Sequence, residues 1–548
     1  MLVEKVPITA WLLVVLVFFV ASRLHRPKKS LDILPKVRAE DEPRCLDSEV
    51  PFVGHAYNYL TQGPAYLYRL WKQSEEAIFT LKVLNKSVYV FADPEALQAA
   101  EKHYKTIIND QLFVEGTSQL FLWSKRQQEI ALIHINNPHS AVPSLLKTVR
   151  PALRDSLRPG MNLDEIGFRY QKEFGRHVNA LAAAGPEKIQ LWNWIRTTMT
   201  LGAGLATFGS KHPFVTNPSL QADFWAVEKE NLKLIFYPFA SLVLRKGFKA
   251  RQRVLRAMSE YTDGGGIEDA SSFVRAYHKV LEQYNLTNEE LGSFDATVLT
   301  AFIGSLIPLG FWVVLFILAR PDLLATIRAE VDQCVRPPPS TGRSTSVDMD
   351  QLRNNCPVLY ASVREASRIA MQAPLFRTVT EDTRIALPSR GETYLLKKGS
   401  LAMIAVSCVH GNEKAWGPDI YSFDEKRFLP RNGAASAEVH EGEQIAKADP
   451  DIARPVHFDA FTRSAFTPFA SGVHLCPGRH YAQSVIMTTV AMFVTSFDVT
   501  PLENDGIVIP PMKPELGLGS AKPTHDVGLL VNRRVGFEDV QWGLEGSS

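Results

Sequence analysis

One stretch of this 548-residue chain has a residue pattern able to do chemistry: Phe469-Ala-Ser-Gly472-Val-His474-Leu-Cys476-Pro-Gly478-Arg-His-Tyr-Ala482. A cysteine stands between two glycines, just before an apolar run from Ala482 to Phe497 that reads as a helix closing the core. The unpaired N–H groups and positive dipole end of a helix favour a negative sulfur, so Cys476 is expected to be poised as a thiolate. Gly472 and Gly478 allow a tight turn and close approach to a large flat ligand. Phe469 is placed to pack on that ligand and His474 to hydrogen-bond a carboxylate at its edge. The plain alternative is a packed thiol in a glycine-rich turn.

The spacing Phe-x-x-Gly-x-x-x-Cys-x-Gly-x-x-x-Ala resembles the haem-binding loop of the cytochrome P450 family. That resemblance implies haem b (iron protoporphyrin IX) as cofactor and Cys476 as the axial iron ligand, with Phe469, Gly472, His474 and Gly478 around the haem. The family usually has Arg at the position of His474, contacting a propionate. The resemblance also implies a mainly α fold with a smaller β part, a single large domain over residues 51–535 behind an N-terminal membrane anchor. A short tail, 536–548, would follow.

Further landmarks fall in the family's order. Glu365-x-x-Arg368 lies on one face of a helix starting near Pro357. With Pro418-Asp419, Phe423-Asp424 and Arg427-Phe428 it resembles the family's buried triad, here Glu365, Arg368 and Arg427, a structural device beneath the haem loop. Pro374-Leu-Phe-Arg377-x-x-x-x-Asp382 resembles a strand whose arginine meets a propionate, which makes Arg377 the leading propionate partner. The family's Trp-x-x-x-Arg has only Trp123-Ser-Lys125-Arg126 to match it, one residue short.

The element expected to face the haem is the uncharged run Ala296 to Ala319, which follows a capping-box pattern at Thr287-Asn-Glu-Glu290. By length it is also a candidate membrane span; family order makes it the long central helix. Pro308 has no N–H for the carbonyl of Gly304, so the helix is expected to be kinked or opened there. The loosened carbonyl and the Ser305 hydroxyl would form a polar notch for water or dioxygen, and Gly304 and Ser305 are the candidate catalytic positions. The family's acid–alcohol pair is missing, because Ser305, Leu306 and Ile307 stand in its place. Pro308, Phe311 and Trp312 resemble the sterol-hydroxylase and prostacyclin-synthase branch, as does the hairpin Ile78–Phe91 with Asp93-Pro94 opening a helix.

Lys and Arg number 60 against 58 Asp and Glu, so no polyanion, and no nucleic acid, is implied as a partner. Five cysteines without a C-x-x-C spacing argue against a disulfide framework or a zinc site and fit a reducing compartment. An apolar run, residues 6–22, precedes Arg23, Arg26, Lys28 and Lys29. It reads as an anchor in the endoplasmic reticulum membrane with the catalytic domain facing the cytoplasm, the alternative being a cleaved signal peptide. Residues 23–50 read as a linker, and 433–460 as a polar surface insertion.

A second apolar segment, Leu232 to Leu244, runs into Arg245, Lys246, Lys249, Arg251, Arg253 and Arg256. It reads either as a membrane-surface element near the substrate lid or as a core helix with a solvated basic face. By family analogy the turn near Leu516–Leu518 would touch substrate.

The resemblance implies a monooxygenase: one atom of dioxygen enters a C–H bond or alkene of a hydrophobic, lipid-like substrate, a sterol or terpenoid, and the other leaves as water. An NADPH-dependent flavoprotein reductase would supply two electrons, docking near Lys125, Arg126, Arg431 and Arg479. Protons would arrive through Ser305 and ordered water. Two alternatives stay open: a reductase-independent isomerase or dehydratase that needs no relay, and a membrane-tethered haem sensor.

Overall fold

The computed structural model describes residues 41–48, 54–83, 86–137, 139–236, 240–336, 344–429, 458–503, 506–513 and 519–543. The expected anchor 6–22, most of the linker 23–50, the insertion through 457, Arg431 and the turn Leu516–Leu518 lie outside them. Residues from Pro43 onward cluster into one compact unit.

Helices dominate, as the apolar periodicity demands, with four small sheets among the described residues. The largest sheet has five strands in the order 78–83, 86–91, 401–404, 375–379, 107–108. Its first two strands form the expected hairpin, registered from Ile78↔Phe91 to Val83↔Lys86. Strand 401–404 then runs parallel to the second of them and antiparallel to Leu375–Val379, placing Ala402 opposite Arg377. This sheet holds Arg377 at a fixed register. Strands 497–501, 528–533 and 187–190 make a second, antiparallel sheet.

Local signals set the helix starts. Asp93 caps the helix Pro94–Lys102 by accepting from Glu95 N at 2.9 Å, and Thr287 and Glu290 close their capping box at 3.2 and 3.0 Å. The helix after the cysteine, Arg479–Ser496, is buried nearly throughout.

The central helix is opened, the second of the two forms expected near Pro308. It is two helices, Asn288–Ile303 and Leu306–Leu318, broken at Gly304 and Ser305. The break precedes Pro308 because the proline ring crowds the turn before it and offers no N–H. Every residue of Leu306–Leu318 is buried. The stretch Asn288–Leu318 is long and apolar enough to cross a membrane, but 89% of its most apolar window lies inside the protein, so it is the core.

Candidate functional site

Backbone geometry shapes the cysteine loop. Thr467 N–H donates to His410 Nε2 at 3.0 Å, and Cys476 N–H donates to the Phe469 carbonyl at 2.9 Å, closing a turn between them. Ala470 and Gly472 both take left-handed backbone, φ 60° each. A side chain at Gly472 would be strained and would collide with the Glu101 carboxylate. Gly478 has φ −83° and needs no glycine for its turn; a Cβ there would lie 3.8 Å from Cys476 Sγ, on the face the sulfur presents. Phe469 is half-buried.

The helix start acts on the sulfur as anticipated, but it does not prevail. Burial raises the Cys476 thiol above its ordinary range, while the N–H groups of Gly478 and Arg479 and the Arg479 charge pull it down. Burial and the helix start thus act on the sulfur in opposite directions. Removing a sulfur anion from water costs more than two N–H groups return, whereas a coordinating metal deprotonates a thiol outright.

Positive charge gathers beside the loop. Arg377 is nearly buried and donates to Glu101 Oε1 at 3.1 Å, and Ser471 Oγ donates to the same oxygen at 2.9 Å. His474 is pushed down to about 4 by burial and then by the charges of Arg377 and Arg150, so its imidazole is neutral. Its Nε2 is buried with no hydrogen-bond partner. Arg150, from the helix Leu145–Ser156, was not singled out from the sequence; it pairs with Asp110 at 2.6 Å, which also meets His134 at 3.0 Å. Leu146-x-x-x-Arg150 repeats the sought spacing without its tryptophan, which is why an aromatic marker missed it.

The stretch that carries the marker turns elsewhere. Trp123 stacks on Phe294 and donates to Thr297 Oγ1 at 3.3 Å; Arg126 is tied to Glu290 at 3.0 Å and to the carbonyls of Asn285 and Tyr284. Two guanidinium groups and an unpartnered imidazole nitrogen beside a half-buried thiol suit a ligand with carboxylates at one edge and a metal cation at its centre. Haem b has both, and the residues present fit it.

Above the loop, the ring of Tyr481 packs 4.6 Å from that of Phe302, tying the cysteine helix to the central helix just before its break. Gly519 closes over the break with φ 102°; a Cβ there would lie 3.3 Å from Ser305 Oγ and 3.6 Å from the Gly304 carbonyl. Ser520 Oγ donates to the Ser305 carbonyl at 2.9 Å. The expected notch is thus roofed by protein backbone. Beside it lies an ion pair that the sequence did not reveal: Lys522 meets Glu228 at 2.8 Å, and Glu228 Cγ is 4.0 Å from where a Cβ on Gly304 would stand.

Beneath the loop, Arg368 holds Glu365 with two bonds of 2.8 Å and Arg427 donates to the same carboxylate at 2.8 Å. Arg368 also donates to the carbonyls of His410 and Ile420, and Arg427 to those of Trp416 and Asp419. These bonds lock the segments around the loop into one block.

Comparison with known proteins agrees with this geometry. The Cytochrome P450 family model matches residues 43–528. A cytochrome P450 monooxygenase of Gibberella zeae is 26% identical over 510 residues, covering 91% of both chains. One from Hypoxylon pulicicidum is 25% identical over 92% of this chain and 93% of its own. A 5-beta-cholestane-3-alpha,7-alpha-diol 12-alpha-hydroxylase of Sus scrofa is 23% identical over 90% and 93%. Among solved structures, the haem domain of a cytochrome P450DA mutant shares the fold with a TM-score of 0.64 at 14% identity, over 91% of this chain and 99% of that one. With the family model spanning nearly the whole described unit, the chain belongs to the cytochrome P450 family.

Proposed function

We propose that this protein inserts one oxygen atom from dioxygen into a lipophilic substrate of sterol or terpenoid type, with haem b that Cys476 would hold through its sulfur and electrons from an NADPH-dependent flavoprotein reductase. The observation that carries the reading is the convergence on one loop of the Cys476 sulfur, the N–H groups of Gly478 and Arg479, the guanidinium groups of Arg377 and Arg150, and the neutral, unpartnered imidazole of His474. The sterol class is supported by the Sus scrofa relative, a steroid 12-alpha-hydroxylase by name.

Haem b, when bound, supplies the activation of oxygen, and thiolate ligation favours O–O cleavage. The chain's own residues do the rest. Gly478 and Arg479 hold negative charge at Cys476 Sγ. Arg377, Arg150 and His474 bind and orient the carboxylate edge. Phe302, Tyr481 and the apolar wall of Leu306–Leu318 keep water out. At the break of the central helix, Ser305 holds a proton on its hydroxyl. The Glu228 carboxylate, held by Lys522 from the facing segment, brings an acidic group near a helix that has Leu306 and Ile307 where an acid and an alcohol are usual.

The missing pair also favours a second reading, a reductase-independent isomerase or dehydratase. One preparation separates them: a carbon monoxide difference spectrum of thiolate type, then product formation with and without reductase. Dependence on reductase supports oxygen insertion, and turnover of a peroxide-type substrate without it supports rearrangement. Cys476→Ala should abolish the spectrum in either case.

Membrane attachment and the cytoplasmic face of the endoplasmic reticulum remain part of the proposal. They are supported by the apolar run at residues 6–22 and by Leu242 and Val243, which are exposed beside exposed Arg245, Lys246 and Lys249.

A further inference from the structure

Two thiols far along the chain from Cys476 meet in the helical core. Cys334 Sγ lies 3.4 Å from Cys356 Sγ, and both residues are buried. Cys334 ends the helix pair that begins at Pro321, and Cys356 caps the helix Pro357–Ala370, which carries Glu365 and Arg368. The two ends are already clamped without a covalent bond: the Glu330 carboxylate accepts the N–H of Val358 at 2.9 Å and of Leu359 at 3.0 Å. The Cys334 carbonyl accepts the N–H of Asp348 at 2.8 Å, fixing the backbone on its other side. Among the described residues no group of three His, Cys, Asp or Glu side chains is arranged to hold a metal, so a zinc site does not account for the contact.

We propose that Cys334 and Cys356 form an oxidation site, converted by hydrogen peroxide into a disulfide that staples the helix bearing Glu365 and Arg368 to the helix before it. The step balances: two thiols and one peroxide give one S–S bond and two waters, the sulfurs being oxidised and the peroxide oxygens reduced. The first sulfur attacks as thiolate, its proton passing to the departing hydroxide to make water; the second displaces hydroxide from the resulting sulfenic acid, and its own proton makes the second water. The contact itself favours a thiolate at one of the two sulfurs, because a hydrogen bond from the neighbouring thiol stabilises the anion. Little backbone movement is required, since the sulfurs already touch and the clamp at Glu330 holds the helix ends together.

The test uses the intact haem-loaded chain, treated with hydrogen peroxide, denatured in an alkylating reagent, digested with trypsin and read by mass spectrometry. Cleavage after Arg343, Arg353 and Arg364 puts the two cysteines in separate peptides, so the bond appears as a linked pair that dithiothreitol abolishes. The expected result is this linkage together with a rise of a few degrees in melting temperature that reducing agent reverses and Cys334→Ser lacks. Exposed Cys45 serves as the internal control for oxidant strength. If Cys334 and Cys356 are recovered singly alkylated under conditions that oxidise Cys45, the proposal is overturned.

Discussion

The N–H of Thr467 donates to Nε2 of His410 at 3.0 Å, so the chain leading into the cysteine loop hangs from an imidazole that must stay neutral. Burial pushes His410 down to about 3, with the Arg368 charge adding to the effect. The unfolded chain, with an ordinary imidazole near 6.5, therefore binds more protons between pH ~6.5 and ~3. Stability from this residue is present above that window and is lost as pH falls through it. Urea unfolding from pH 7.5 down to 4.5 should show a falling midpoint, and His410→Gln, which keeps an acceptor, should flatten the slope. An identical slope in the variant would assign the acid sensitivity elsewhere.

Arg368 is surrounded by the Glu365 carboxylate and two carbonyls, with almost no exposed surface. Replacing it by Met leaves Glu365, itself fully buried, with Arg427 as its one remaining cation beside the Asp424 N–H at 3.2 Å. The expected cost is about 3–5 kcal/mol, the usual consequence of stranding a buried charge. Thermal unfolding of Arg368→Met would measure it, and a loss near zero would mean that Arg427 alone satisfies the carboxylate.

Arg150 and Arg126 separate a spatial reading of the cationic edge from a linear one. Arg150→Leu should speed haem transfer to apomyoglobin roughly 10–100-fold, the equivalent of one charge-assisted bond of about 1.5–3 kcal/mol. Arg126→Leu should leave that rate unchanged, because its guanidinium is tied to Glu290 and to the carbonyls before the central helix. The reverse ranking would return the role to the Trp123 stretch.

Ser305 and Glu228 are expected to govern coupling between NADPH use and product. Ser305→Ala and Glu228→Gln should each raise the peroxide released per NADPH consumed severalfold with haem content unchanged. If both variants keep the parental ratio, protons reach the site by another path.

Leu242 and Val243 test the apolar segment. In a variant beginning at Pro43, replacing both with Ser should weaken sedimentation with anionic phosphatidylserine vesicles, and adding salt should weaken it further through Arg245, Lys246 and Lys249. Unchanged binding would make the segment an ordinary surface.

Much of the site was legible because it is contiguous. The loop from Phe469 to Ala482 carries its spacing in a single run, and glycine at 472 follows from a left-handed turn no other residue adopts without strain. The capping residues Asp93, Thr287 and Glu290 acted locally as their types dictate. The rest was not legible where two local effects compete or where packing intervenes. At Cys476 the helix start and burial oppose each other, and only the surrounding structure sets how deep the sulfur lies. At Pro308 the sequence located a disruption, while the roofing of Ser305 by Gly519 and Ser520 set its form.

Residue order alone determined the family and the cofactor class, because both are written in spacings of a few residues that backbone geometry reads directly. Tertiary structure decided which distant side chains meet: Arg150 with His474, Lys522 with Glu228, Cys334 with Cys356. Those encounters depend on how helices and strands from separate parts of the chain pack, and packing is a property of the whole core rather than of any one stretch.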